Sequence, residues 1–173
     1  MRHAQLPLNA TTIVEAAYWP DAIRPLGFYV FAPWHYIDIP LVRDEDGANI
    51  TPPPVPTTNN VVWAIEQGVR VLRTVDASAA EKSAALRFVL HFVGDVHQPL
   101  HAASLYSAMF PNGDYGGNSF HLTGSSHWSN LHSECPVCGV VAVWLCDCVT
   151  VWLCGCARVR RRGFDVHCRV LMW

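Results

Sequence analysis

The run "RFVLHFVGDVHQPLH", residues 87 to 101, decides how the chain is read. Phe88, Val89, Leu90, Phe92, Val93, Val96 and Leu100 make it apolar enough for a core, yet His91, Asp95, His97 and His101 interrupt it. Groups of this kind are costly to bury unless they are paired or hold a metal. On a helix His91 and Asp95 stand four apart on one face with Cβ atoms roughly 6 Å apart, which suits a two-toothed clamp on a cation. A satisfied histidine–carboxylate pair inside a core has the same spacing.

The neighbouring segments favour the metal. "YWPDAIR" carries Asp21, "PWHYID" carries His35 and Asp38, and "SNLH" carries His132. Imidazole and carboxylate donors without thiolate suit zinc in a hydrolytic site, where an open position holds water. Clustering these groups in Trp-flanked, Pro-broken segments is a poor way to build an ordinary core.

Around these segments the pattern is helical. Thr12 and Glu15 have capping-box spacing ahead of a short helix that Pro20 is expected to stop. "TPPPVPTTNN" is a proline-rich connector ending on Asn60, an N-cap candidate. Val62, Ile65, Val69 and Leu72 follow at the spacing of one buried helix face, a packing helix without chemistry. "ASAAEKSAALRFVLHFVGDVHQPLH" extends a third helix to about residue 97, before Pro99. "PNGDYGGNSFHL" reads as a Gly-rich loop with one short strand. No βαβ alternation and no internal repeat is visible, so the fold class is all-α, mainly helical.

Composition bounds the function. The 173 residues, 51% of them hydrophobic, are enough for one medium domain with a real core. Residues 1 to 134 hold 7 Lys and Arg against 12 Asp and Glu, whereas residues 135 to 173 hold 5 Arg and 2 Asp. An acidic body excludes nucleic-acid binding through a broad basic face, so phosphate chemistry here requires bound cations. Seven of the nine His lie between residues 35 and 132, and all seven Cys lie from residue 135 onward. The two compositions join near residue 133. No basic-then-apolar leader precedes the first helix. Asn9 and Asn49 head the glycosylation sequons "NAT" and "NIT", a hint of secretion.

"AAYWPDAIR", "PWHYIDIP", "LRFVLHFVGDVHQPLHAASLY", "GDYGGNSFHL" and "SNLH", in this order and at these intervals, resemble the S1/P1 nuclease family of zinc-dependent single-strand nucleases and 3′-nucleotidases. The resemblance covers about residues 9 to 133. It implies an S1/P1 nuclease or zinc phospholipase C-like fold, here incomplete at both ends, with three zinc ions, two of them close together and bridged by a carboxylate. By the same resemblance Asp21, His35, His91 and Asp95 hold one zinc of the close pair, with Asp95 as the bridge. His101 and His132 hold the distant zinc together with a carboxylate four residues after His132, where this chain has Pro136. The other zinc of the close pair takes an amino-terminal Trp and a His that lie upstream of Met1; His3 stands too near Asp21 to replace that His, and Glu134 is a weak substitute for the missing carboxylate.

The resemblance also assigns Arg24 to the phosphate and Tyr36 and Asp38 to a nucleobase pocket, as an aromatic plate and a carboxylate for the base edge. Stacking of this kind needs an unpaired base, hence a single-strand preference. Without the resemblance, Arg24 reads as a surface residue at a helix end, Tyr36 as half-buried packing and Asp38 as a turn or cap. Asn118 lies in a loop expected near the zinc cluster, in a supporting role. His97, His121 and His127 receive no ligand role. The expected substrate is single-stranded DNA or RNA, or a 3′-nucleotide, with no protein partner, in the secretory pathway. A zinc phospholipase C shares the metal architecture, but Tyr36 and Asp38 favour nucleic acid. The competing reading from another class is an inactive metal-binding fragment of the same family.

Residues 1–134 thus form a partial nuclease domain, and residues 135–173 a Cys-rich tail. In the tail, "VWLCDCVT" and "VWLCGCAR" nearly repeat, with residues whose codons are rich in G and T, the mark of a frameshift or read-through. The Cys spacings 3, 8, 2, 6, 2 and 12 do not make a paired zinc-knuckle pattern. Residues 137 to 157 are long enough for a membrane anchor with "RVRRR" on the cytoplasmic side, although Asp147 opposes insertion by on the order of 3 kcal/mol.

Overall fold

The computed structural model describes residues 12–43, 49–122, 129–134, 159–161 and 164–166. These form two compact units, one from residues up to 37 together with 54–102, the other from 38–53 together with 103 onward. The described residues are mainly helical with two small two-stranded sheets.

In the first unit, α1 spans Ile13–Ile23. Thr12 caps it: its hydroxyl accepts from the Glu15 amide at 3.2 Å while the Glu15 carboxylate accepts from the Thr12 amide at 3.1 Å. Pro20 does not stop this helix, contrary to the sequence expectation. It lies inside the last two turns, where it forfeits only the bond to the Ala16 carbonyl. Burial of the Pro20 ring and of Ile23 offsets that loss. Short 3-10 turns follow over Arg24–Leu26 and Tyr29–His35.

The second helix, α2, spans Val61–Arg73, and the Asn60 side chain accepts from the Trp63 amide at 2.9 Å as the expected N-cap. Its buried stripe is Val61, Ala64 and Gly68, one residue round from the expected face, and Val62 is 47% exposed. Close helix contact explains the rotation. A Cβ at Gly68 would lie 2.5 Å from Val89 Cγ2 of α3, so small residues are required where the two helices meet. The third helix, α3, spans Ala79–Val96, with a second capping box between Ser78 and Glu81.

Phe92, Val61 and Ala64 form the core of this unit, with Trp34, Trp63, Phe88, Ile65, Ile37 and Val96 packed against it. Complete burial of a side chain such as Phe92 or Val61 stabilises by about 1.5–3 kcal/mol. Aromatic rings dominate: Phe88 stacks on Phe92 at 5.4 Å, and Trp34 meets Phe88 edge-on at 5.6 Å. The greasy residues of the opening stretch thus build a rigid floor.

In the second unit, β1 (Ile39–Arg43) pairs in parallel with β2 (Ala103–Ser107) in register Ile39 to Ala103. The sequence did not suggest this pair. Neither strand shows clean alternation, and Pro40 argues against a strand. A bridge between His121 and Asn130 leads into the short helix α4 (Leu131–Glu134). Strands β3 (Val159–Arg161) and β4 (Phe164–Val166) pair antiparallel. Asn9, His3, His127, Pro136 and the possible anchor at 137–157 lie outside the described residues. Among the described residues no helix is long and apolar enough to cross a membrane.

Candidate metal centre

Three segments of the first unit deliver donors to one point. The last turn of α1 supplies Asp21, the end of the following 3-10 turn supplies His35, and α3 supplies His91 and Asp95. Asp21, His35 and His91 each offer one donor atom, all within 4.8 Å of one another. His35 Nδ1 lies 3.0 Å from Asp95 Oδ2, 3.0 Å from His91 Nε2 and 3.8 Å from Asp21 Oδ1. His91 Nε2 lies 3.2 Å from Asp95 Oδ2 and 3.8 Å from Asp21 Oδ1.

The imidazoles are aimed from behind. His91 Nδ1 donates to the Ala17 carbonyl at 2.7 Å, so in the neutral ring Nε2 points its lone pair at the cluster. Phe92 lies under both rings, edge-on to His35 at 5.1 Å and to His91 at 5.7 Å. His35 is 4% exposed, and its Nε2 is buried without a hydrogen-bond partner. A buried polar atom left unmatched costs about 1–3 kcal/mol, and such atoms collect where the rest of the ring has a task.

Four electron-rich atoms converge with too few protons between them. Burial pushes the His91 pKa down, but the hydrogen bond and charge of Asp95, the charge of Asp21 and the Ala17 carbonyl outweigh burial and leave it raised. Burial likewise favours the neutral form of Asp95, yet hydrogen bonds from His35 and His91 and the charges of His91 and His101 hold its pKa at about 2. A single divalent cation would satisfy the Asp21, His35 and His91 atoms at once, with Asp95 adjoining both imidazoles. Tetrahedral zinc with bonds of about 2.0–2.1 Å sets its donors roughly 3.4 Å apart, within the spread of 3.0 to 3.8 Å seen here.

A model of the S1/P1 nuclease family matches residues 3–134. The chain belongs to the S1/P1 nuclease family. This family membership agrees with the helical architecture and implies zinc, for which the Asp21, His35 and His91 cluster is fitted. The chain is 26% identical over 135 residues to Nuclease S1 of Aspergillus oryzae, covering 72% of this chain and 40% of that protein. It is 30% identical over 130 residues to Endonuclease 5 of Arabidopsis thaliana, covering 69% and 41%. With Nuclease P1 of Penicillium citrinum it shares 39% identity over 57 residues, 33% of this chain and 18% of that protein. The S1/P1 chain described here therefore spans about two-fifths of the length of the first two curated relatives.

The other residues singled out in the sequence fall at defined places. Arg24 caps α1 and its Nη1 lies 3.6 Å from Asp21 Oδ1, beside the cluster. Tyr36 is exposed, and its carbonyl accepts from the Val61 amide at 3.1 Å. His101 Nδ1 donates to the His35 carbonyl at 2.7 Å and lies 3.8 Å from Asp95 Oδ1, so it borders the four donors. His97 is on the surface, with Nδ1 donating to the Val93 carbonyl at 2.6 Å, and His121 is also exposed.

Asp38, Asn118 and His132 belong to the second unit. Burial, and then the charge of Asp114, raises the Asp38 pKa. Asn118 Nδ2 donates to the Tyr115 carbonyl at 2.8 Å, and His132 Nδ1 donates to the Gly116 carbonyl at 2.8 Å. Asn49 is exposed. The sequence reading missed the Ala17 carbonyl and Phe92 as parts of the centre. A backbone acceptor leaves no mark in the side-chain pattern, and Phe92 is indistinguishable from ordinary core until its neighbours are placed.

Proposed function

We propose that this chain is the zinc-binding portion of a nuclease that hydrolyses phosphoester bonds in single-stranded DNA and RNA and in 3′-nucleotides. The observation that carries this reading is the convergence of Asp21, His35 and His91 donor atoms within 4.8 Å of one another, with Asp95 3.0 Å from His35 and 3.2 Å from His91, in a chain of this family. These four residues would hold one metal, Asp95 would be shared with a second, and His101 and His132 would serve a third. Bound zinc supplies Lewis acidity toward the phosphate and acidifies water near neutral pH.

The chain's own residues do the rest. Arg24, within reach of Asp21, places a planar cation where charge builds on the phosphate oxygens. Tyr36 offers its exposed ring to a base, and Asp38 accepts from a base edge, with Asn118 in a supporting role. The Phe92 floor keeps the imidazoles from turning away. We assign residues 1–134 to the nuclease domain and the protein to the secretory pathway, a reading that the exposed Asn49 sequon supports.

Pro136, four residues after His132, offers no donor atom and favours a second reading, a chain that binds zinc without completing catalysis. Metal analysis and hydrolysis of a single-stranded oligonucleotide and a 3′-nucleotide, with and without chelator, separate the two. About three zinc per chain with chelator-sensitive cleavage supports the enzyme. One zinc without cleavage supports the second reading, and cleavage that survives complete zinc removal sinks the first.

A further inference from the structure

The GDYGGN loop carries a buried carboxylate that the chemistry above does not use. Asp114 is 3% exposed. Its Oδ1 accepts from the Leu105 amide at 2.9 Å and from the Ser104 hydroxyl at 3.2 Å. Its own amide donates to the Leu105 carbonyl at 3.0 Å, and its carbonyl accepts from the Ser119 amide at 3.0 Å. The Ser104 oxygen, equally buried, accepts in turn from the Tyr115 amide at 3.1 Å. Asp114 and Ser104 therefore bolt the start of the loop to β2, and the Ser119 amide closes its far end back onto the Asp114 carbonyl. A carboxylate so far from water is kept where its hydrogen bonds offset desolvation.

The loop needs such an anchor. Gly113, Tyr115, Gly116 and Gly117 all have positive φ, at 87°, 54°, 61° and 78°. Tyr115 in this region costs on the order of 1 kcal/mol, and such backbone persists only where its surroundings over-determine it. At Gly113 a Cβ would come within 2.9 Å of Ser104 Oγ and 3.0 Å of Tyr106 Cζ, so only glycine lets the loop lie this close to β2.

The strained run ends in contacts to His132. The Gly116 carbonyl accepts from His132 Nδ1 at 2.8 Å, and the Gly117 carbonyl accepts from the His132 amide at 3.3 Å. We propose that Asp114 is a positioning residue that, through this loop, aims the Gly116 carbonyl at His132 Nδ1 and so fixes Nε2 as the nitrogen that carries the lone pair. Its relevance to metal rests on the reading of His132 as a ligand, since a ligating imidazole must present one defined nitrogen. Asp114 touches neither substrate nor metal in this scheme.

The test is the tautomer of His132 in the zinc-free full chain, read by long-range proton–nitrogen correlation at about pH 8, above the ordinary imidazole range. The expected wild-type signature is a protonated Nδ1 and a bare Nε2. Asp114→Asn, which keeps an acceptor oxygen for Leu105 and Ser104, should preserve it. Asp114→Ala should release the ring into a mixture of tautomers. A folded Asp114→Ala that keeps the wild-type signature overturns the proposal. Should Asp114→Ala fail to fold, Ser104→Ala decides: it removes the link to the Tyr115 amide but leaves the carboxylate, a mixture of tautomers is expected, and an unchanged signature overturns the proposal. Because neither zinc nor substrate is present, this result stands or falls apart from the nuclease assignment.

Discussion

His91 Nε2 stands 3.2 Å from Asp95 Oδ2, one turn apart on α3, and each side chain shifts the other toward its charged form. The pair links stability to pH in the zinc-free chain. The folded pKa of His91 lies above its ordinary 6.5, so its contribution is complete below 6.5 and lost as pH rises through the folded value. Asp95 sits at about 2 against 3.8, so its contribution is complete above 3.8 and lost as pH falls toward 2. Urea unfolding of the apo chain should therefore show weakening on both flanks. A midpoint that stays flat as the solution is acidified through that lower window contradicts the pairing.

Zinc should stabilise the wild-type chain by about 2.7 kcal/mol at a hundredfold excess over Kd. His91→Ala should abolish most of that gain, because it removes one of the converging donors without touching the Phe92 floor. Thermal melts with and without zinc measure it, and an equal zinc-induced rise in both proteins would place the metal elsewhere.

Arg24→Ala should lower phosphoester hydrolysis about 100-fold or more while leaving bound zinc unchanged, since Arg24 contacts Asp21 from the rim of the cluster. Arg24→Lys should recover part of the loss, because a point charge lacks the guanidinium fork. Loss of zinc in Arg24→Ala would show that its contact with Asp21 serves the metal instead.

Tyr36 supplies stacking surface, so Tyr36→Ala should raise KM for a single-stranded oligonucleotide by roughly 10-fold, from about 1–3 kcal/mol per stacked base. Its kcat should change little, and Tyr36→Phe should behave as wild type. Equal kinetics for Tyr36→Ala and wild type would remove Tyr36 from the substrate site.

Gly68→Ala gains about 1 kcal/mol of helix propensity but drives a methyl to 2.5 Å from Val89 Cγ2. Valine in a helix has one favoured rotamer, so it yields poorly and overpacking of about 1–3 kcal/mol wins. Net destabilisation of about 1 kcal/mol is expected in chemical denaturation. Adding Val89→Ala should rescue part of it, and purely additive losses would show that the two residues do not press on each other.

The donor-bearing segments were legible because their residue types are expensive in an apolar run. His91 and Asp95 on one helix face follow from spacing alone, and the caps Thr12 and Asn60 form the expected bonds. Errors arose where geometry depends on a neighbour. Pro20 ends a helix in isolation but is accommodated when its ring is buried. The stripe of α2 follows Ala64 and Gly68 because close approach to α3 outweighs side-chain size. The parallel pairing of β1 with β2 joins segments far apart in sequence, and Pro40 masks the first of them. Asp114 lay inside a quoted motif, but its task is visible only through Leu105, Ser104 and Gly116.

The span between His35 and Asp95, 60 residues, has a consequence for synthesis. A chain emerging from the ribosome presents Asp21 and His35 long before α3 exists, so early on it can offer a cation only a weak, incomplete grip. On the proposed reading, loading would be tied to the late arrival of α3, and an ion seated there would close a long loop as a removable cross-link. Chelation of the mature chain should therefore loosen α1 and the turn before Tyr36 ahead of α2, an order readable by amide hydrogen exchange.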